Sequence, residues 1–166
     1  NVTCALTNIT IVVVTYESAH LVSALVTTLD RFASVVVIDN NSHDGTAALL
    51  ATSLPNARVH RNDINKGFGT ANNQGIAMVT TPFALMLNPD CDITVEALQQ
   101  LLDTAERYPN AALIAPQGWY AKDKPQPSYR HAFYECRQAQ PYHIPDATCS
   151  ANWLHGCCQL VRVEAF

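Results

Sequence analysis

Ala84-Leu85-Met86-Leu87-Asn88-Pro89-Asp90-Cys91-Asp92 is an apolar run that ends abruptly in an acidic tip. An apolar run without polar alternation fits a strand covered on both faces. Pro89 has no N–H to give to a ladder, so strand pairing is expected to end near it. Asn88, Asp90 and Asp92 then stand at the C-terminal end of the strand, where open α/β sheets bind their ligands. Asp90 is the candidate ligand for a hard divalent cation, and oxygen donors of this kind suit Mg²⁺ or Mn²⁺. Asp92 is read as a cap for the helix that begins near Thr94.

Outward from that run, the same alternation of strand and helix repeats. Ile9–Thr15, Val35–Asp39 and Ala57–Arg61 read as strands, Phe83–Leu87 as a fourth and Ala111–Ala115 as a fifth. Helices are expected from Ser18, as a cap, to about Arg31, from the turn at Gly45 to about Thr52, from Thr70 to Val79 and from Thr94 to Arg107. Strands alternating with helices of this length predict an α/β fold with a mostly parallel sheet and helices on both faces. From Pro116 the pattern changes to a polar, aromatic, proline-rich excursion, before strand-like segments return at Trp153–Leu154 and Gln159–Val163. The expected division is 1–117 for the sheet-forming half and 118–166 for the start of a second half. The chain stops just after an apolar segment and is expected to be a fragment.

Composition narrows the function. Of 166 residues, 48% are apolar and 14% charged, against roughly 25% charged in an average domain, so part of the surface is expected to be covered. The net charge of −4 comes without a basic cluster, which argues against a nucleic-acid partner. No stretch approaches the ~20 apolar residues that span a bilayer. No positively charged start followed by an apolar block marks a signal peptide. The six cysteines, Cys4, Cys91, Cys136, Cys149, Cys157 and Cys158, form no C-x-x-C pair and read as reduced thiols of a cytoplasmic protein, with a disulfide framework or a zinc site as the lesser alternative.

Three further loops follow strands. Thr15-Tyr16-Glu17 is either an ordinary connection or a wall for a flat heterocycle. In Asp39-Asn40-Asn41-Ser42-His43-Asp44-Gly45, Asp39 is placed to accept hydrogen bonds from a base or ribose. Asp44 reads first as a helix N-terminal acid favoured by the dipole. Asn65-Lys66-Gly67-Phe68-Gly69 carries glycines before a helix, and Lys66 is either a phosphate neutraliser or a solvated surface residue. Asn72 reads equally as a satisfied polar group on the helix.

Taken in order, VVVTYES (12–18), VVVIDNNSHDGT (35–46), NKGFGTANNQGI (65–76), LMLNPDCDI (85–93) and HGCCQLVRVEAF (155–166) resemble family 2 of the nucleotide-sugar glycosyltransferases. The NPD form of the acidic tip is most similar to its rhamnosyltransferase-like branch. The resemblance runs from Ile9 to Phe166 and implies the GT-A fold and an inverting transfer from a nucleoside-diphosphate sugar. It implies dTDP-rhamnose as a donor and a glycan or lipid-linked acceptor, in polysaccharide assembly. It implies that Thr15, Tyr16, Glu17, Asp39 and Asp44 surround the nucleobase, and that Lys66 and Gly67 lie beside the nucleotide. Asn88 takes the first place of the family's Asp-x-Asp motif, toward the ribose, and Asp90 takes the metal-binding place. The general base is implied to lie beyond Phe166. Membrane association, at the inner face, is implied only through regions outside this sequence.

Three rivals are weighed. A nucleotidyltransferase needs a glycine-rich basic loop after the first strand, and TYESAH has none; a nicotinamide-binding domain fails on the same loop. A non-catalytic nucleotide or sugar-binding fragment differs from the enzyme only downstream. His155 reads as structural, with a general-base role as the lesser alternative. Trp119, Tyr120, Tyr129 and Trp153 read as packing residues, with sugar stacking as the alternative.

Overall fold

β-Branched residues that can bury both faces make the centre of the sheet. β1 (Ile9–Thr15) and β2 (Val35–Asp39) pair in parallel, with Val12 opposite Val36 and Thr15 opposite Asp39. Nearly every side chain of the two is buried, which contributes on the order of 1.5–3 kcal/mol for each large aliphatic residue. The computed structural model describes residues 6–130, 144–151 and 153–166. Among them, β3 (Ala57–Arg61) pairs with β2 and β4 (Phe83–Leu87) with β1, both in parallel. The expected bounds of these four strands and the mostly parallel α/β sheet are borne out.

β5 (Leu113–Ile114) is shorter than the expected Ala111–Ala115, because it meets only Leu160 and Val161 at the sheet's edge. A hairpin of β6 (Trp119–Ala121) and β7 (Lys124–Pro125) follows. β8 (Tyr129–Arg130) pairs with β9 (Trp153–Leu154). β10 (Cys158–Arg162) then returns to the main sheet and runs antiparallel to both β4 and β5, giving the order β3-β2-β1-β4-β10-β5. It ends one residue before the expected Val163, whose N–H instead bonds Pro82 O at 3.0 Å as a 3-10 turn begins. Pro141, Cys136 and Cys4 lie outside the described residues.

Helices cover both faces. α1 (Val22–Leu29), α2 (Thr46–Ser53) and α4 (Val95–Arg107) bury Leu25, Leu50, Leu98 and Leu102 with Ile11, Val13, Val37 and Leu85. α3 (Phe68–Ala77) closes the other face through Ala71 and Ile76 against Val12, Val36 and Ile38. It starts two residues before the expected Thr70. Among the described residues no helix is long and apolar enough to cross a membrane.

Two caps are corrected. Ser18 does not cap a helix from 18 to 31: a 3-10 turn spans Ala19–Leu21, and the Ser18 hydroxyl donates to Tyr16 O at 3.0 Å. Asp92 does not cap α4. Thr94 does, accepting from Ala97 N at 3.1 Å, while Asp92 accepts from Thr28 Oγ1 at 3.1 Å and pairs with Arg31. A carboxylate two residues upstream finds the guanidinium just past the end of α1 a stronger partner than a helix N–H.

Gly75 sets how closely α3 approaches β1. A Cβ there meets Val12 Cγ1 at 2.3 Å, and valine is stiff at χ1. Gly75→Ala is expected to lower unfolding free energy by about 1–3 kcal/mol in urea titration. Gly69→Ala, on an open part of the same helix, is expected to be neutral or to stabilise by up to about 1 kcal/mol.

Candidate functional site

Because β1, β2, β3 and β4 are parallel, the loops after all of them leave one edge of the sheet. Asp39, the last residue of β2, is wholly buried there. Its Oδ1 accepts from Thr15 Oγ1 at 3.0 Å and Ser42 Oγ at 2.6 Å, and its Oδ2 accepts from Ser42 N at 2.9 Å. Arg61 at the end of β3 brings Nε within 3.7 Å of Oδ2, and donates from Nη2 to Asn41 Oδ1 and Ser42 O. One carboxylate thus joins the ends of three strands.

The 15–19 loop is laced to the 40–46 loop. Glu17 holds φ at +48°, a left-handed conformation costing a non-glycine residue about 1–2 kcal/mol. It is held by Glu17 N donating to Ser42 Oγ at 2.9 Å and by His43 N donating to Glu17 Oε1 at 3.0 Å. Ser18 N donates to Thr46 Oγ1 and Ala19 N to Asp44 Oδ2, at 2.9 and 2.8 Å. Asp44 also accepts from Thr46 N at 3.1 Å, so it serves the starts of two helical segments. The Thr46 hydroxyl, then Ala19 N, hold its carboxyl below the ordinary value of 3.8. Tyr16 is left half-exposed beside this lacing.

A cluster of amides, which the sequence did not single out, carries the edge onward. Asn40 Oδ1 accepts from Lys66 N at 3.0 Å and Asn62 Nδ2 at 3.1 Å, and Asn40 Nδ2 donates to Asn65 Oδ1 at 2.8 Å. Asn62 exchanges two hydrogen bonds with Gln74 on α3. Asn72 is a satisfied polar group, donating to Phe68 O at 3.0 Å. Gly67 takes φ +79° to admit α3, and its N–H donates to Asn65 Oδ1 at 2.9 Å. The Phe68 ring then lies 3.6 Å from the point where a Cβ on Gly156 would stand.

That glycine belongs to the turn between β9 and β10, which returns to the acidic tip through Asn88 N donating to Cys157 O at 2.9 Å. A continuous line of contacts therefore runs from Asp39 through Asn40, Lys66, Gly67, Phe68 and Gly156 to Asn88, with Asp90 at its end. His155 braces the turn: its Nδ1 accepts from Cys157 N at 3.2 Å and its Nε2 is 3.4 Å from Gln126 Nε2. Both ring nitrogens are engaged, as the structural reading expects. Cys157, hydrogen-bonded by Cys91 and beside His155, is drawn down to about 6. Burial pushes Cys158 up to about 12. Trp119 and Tyr120 are exposed rather than packed, with Lys124 Nζ 5.8 Å over the Tyr120 ring. The expectation that they bury for packing fails: both stand on the exposed three-residue β6, which pairs only with β7 among the described strands. The side chain of Trp153 lies outside the described residues.

Among the described residues, the acids the sequence singled out in these loops have protein partners, with one distinction. Glu17 meets His43, Asp39 meets Arg61, Asp44 meets backbone N–H groups and Asp92 meets Arg31. Asp90 is exposed and has only the Cys91 thiol, at 3.6 Å from Oδ1. Lys66 is exposed and makes no ion pair among the described residues. No group of three His, Cys, Asp or Glu side chains there is arranged to hold a metal. A single free carboxylate does fit Mg²⁺ or Mn²⁺ when phosphate and water supply the other ligands.

The profile described as Glycosyl transferase family 2 matches residues 10–166. The chain belongs to that family. It is 28% identical over 194 aligned residues to the N-acetylglucosaminyl-diphospho-decaprenol L-rhamnosyltransferase of two Mycobacterium tuberculosis strains. The match covers 94% of this chain and 62% of each relative, so the chain spans well under the relatives' full length. Among solved structures, it resembles the mannosyltransferase PcManGT from Pyrobaculum calidifontis, in complex with GDP-Man and Mn²⁺. The TM-score is 0.68 at 16% identity, over 95% of this chain and 45% of that one. It also resembles S. aureus TarS 1–349, with TM-score 0.59 at 16% identity over 95% and 47%. These likenesses bear out the GT-A-type fold and the rhamnosyltransferase-like branch of the family.

Two consequences can be measured. Asp39→Ala leaves the buried Ser42 N–H and Thr15 hydroxyl without their acceptor and is expected to lower unfolding free energy by about 2–4 kcal/mol. Asp44 is depressed in the folded state, so its contribution is whole above the ordinary value of 3.8 and fades as pH falls through the lower folded value. The difference in melting temperature between wild type and Asp44→Ala is therefore expected to be full at neutral pH and to shrink in acid.

Proposed function

We propose that this chain forms the donor-binding part of an inverting glycosyltransferase that moves a sugar from a nucleoside-diphosphate sugar to a glycan or lipid-linked acceptor. The observation that carries the reading is the pairing pattern at the sheet edge. Protein partners engage Glu17, Asp39, Asp44 and Asp92, which leaves Lys66 and Asp90 with their charges directed to solvent along one contact line. A diphosphate needs a cation and a cation-holding carboxylate in that relation. Membership of the family and the likeness to a structure holding GDP-Man and Mn²⁺ support it.

In this reading, residues 1–117 form the donor half and 118–166 begin the acceptor half. Thr15, Tyr16, Glu17, Asp39 and Asp44 shape the nucleobase pocket; Tyr16, half-exposed, offers its ring, while Asp39 acts by fixing the loop. Lys66, beside the Gly67 turn, neutralises the phosphates, and Asn88 faces the ribose. Asp90 would hold Mg²⁺ or Mn²⁺, which when bound offsets the charge that develops on the leaving diphosphate. Inversion also requires a carboxylate base within hydrogen-bond reach of the acceptor hydroxyl. His155 is a poor substitute because both its nitrogens already brace a turn. Likeness to the mycobacterial relatives favours a rhamnose donor and a polyprenyl-diphosphate-linked acceptor; the sequence resemblance adds dTDP as its nucleotide, polysaccharide assembly as its setting and the inner face of a membrane as its place.

Calorimetry with dTDP, UDP and GDP, each with and without Mn²⁺, tests the reading. At least one nucleotide is expected to bind with a metal-dependent component that Asp90→Ala removes. Lys66→Met is expected to weaken binding about tenfold while keeping the metal dependence, the effect of one charge-assisted contact. A folded sample silent toward all three nucleotides overturns the proposal.

A further inference from the structure

Six consecutive residues, Trp119 to Lys124, are exposed in the β6–β7 hairpin, and the donor site uses none of them. Trp119 is 52% and Tyr120 62% open to solvent. Successive strand residues point to opposite faces, so exposure of the whole of β6 means that neither face of the hairpin is packed. Two of the chain's three lysines, Lys122 and Lys124, stand in the same six residues. Asp123, at φ +66°, makes the turn between them and leaves the tip with an excess of one positive charge. The base of the hairpin, by contrast, is fixed. Gln126 N donates to Gly118 O at 2.9 Å, Gln117 Nε2 to Gln126 O at 2.8 Å and Gly118 N to Ser128 Oγ at 2.8 Å. His155 N donates to Ser128 O at 2.9 Å, which ties the hairpin to the turn that reaches Asn88.

We propose that this hairpin is a docking element for an anionic lipid surface. Indole and phenol rings have an apolar body and a polar tip, and they collect at the headgroup level of bilayers. Lysine stems lie along apolar surface while the ammonium stays with the lipid phosphates. A chain of net charge −4 is drawn to such a surface locally, where its lysines gather. A stacked sugar or a protein partner covers one face of a hairpin; a lipid interface surrounds both, and both faces of β6 are open. The family resemblance puts membrane contact outside this sequence, and the hairpin supplies one within it. The inference rests on the polyprenyl-linked acceptor of the proposed function: a fixed base and a lipid-held hairpin tip keep Asn88 and Asp90 near the plane where that acceptor's diphosphate lies.

The test mixes the full chain with vesicles of phosphatidylcholine alone or of equimolar phosphatidylcholine and phosphatidylglycerol, and measures co-sedimentation without nucleotide. Binding is expected to the mixed vesicles, more weakly to phosphatidylcholine, and to fall as salt screens the surface. Lys122→Gln and Lys124→Gln are each expected to lower partition to the mixed vesicles about fivefold, and Arg107→Gln, an equal loss of charge on α4, to change it little. Trp119→Ala and Tyr120→Ala are expected to weaken binding to both vesicles while leaving the melting temperature unchanged. In Trp153→Phe, which keeps Trp119 as the one indole, emission is expected to shift to the blue and to be quenched by lipids brominated in the acyl chain. Absence of binding, partition that the hairpin variants leave unchanged, or an indole that brominated lipid does not quench overturns the proposal. Self-association without lipid that depends on Trp119 assigns the rings to a second copy and overturns it equally. Nucleotide is absent throughout, so failure here is distinct from silence in the calorimetry.

Discussion

The edge of the sheet where the strand-end loops gather is organised around one buried carboxylate. Asp39 ends β2 with no exposure to solvent, and burying a charge is costly unless it is paired and hydrogen-bonded. Thr15, Ser42 and Arg61 meet that requirement, and in doing so they join the ends of β1, β2 and β3. The left-handed Glu17, which the isolated loop would avoid, is then held by Ser42 and His43, whose positions follow from the same turn. Rigidity at this edge is a result of electrostatics inside the sheet rather than of the loops' own preferences.

The rest of the edge is built without charge. Asn40, Asn62, Asn65 and Gln74 link the second loop to the third through neutral amide bonds. Amides supply donors and acceptors in equal number, so they satisfy one another without adding a field of their own. A charged scaffold would compete with Lys66 and Asp90 for a diphosphate or its cation. β10 completes the arrangement from the far side: running against β4, it delivers the Gly156 turn to both Phe68 and Asn88. Its Arg162 also donates to Ala105 O on α4 at 2.7 Å, so the strand is anchored to a helix as well as to the ladder.

The sequence made the strands legible because ITIVVVT, VVVID and FALML are apolar on both faces, and only a covered parallel sheet accommodates that. The edge on which the loops converge followed from the strands being parallel. What stayed illegible depends on distant partners. Ser18 looks like a helix cap, but distant Thr46 takes its own N–H and Asp44 takes the N–H of Ala19 that follows it. Asp92 looks like a cap until Arg31 is placed beside it. The four amides that link the second loop to the third are common residues singly; only the density of asparagine from Asn62 to Asn73 hinted at a network. The exposure of Trp119 and Tyr120 was hidden because periodicity carries no information in a three-residue strand.

The fold also explains why the acidic tip is a separable device. Pro89 ends the ladder, so Asp90 is carried by a turn whose described backbone bonds are Cys91 N to Asn88 O and Asn88 N to Cys157 O. Asp39 is fixed from three sides, while Asp90 hangs from one. In the proposed reading, a rigid edge beside a loosely tethered carboxylate suits a ligand whose nucleoside is constant and whose diphosphate must be gripped and released. A carboxylate fixed as tightly as Asp39 would have no ligand positions left for a cation, since its described hydrogen bonds and ion pair are all with protein groups.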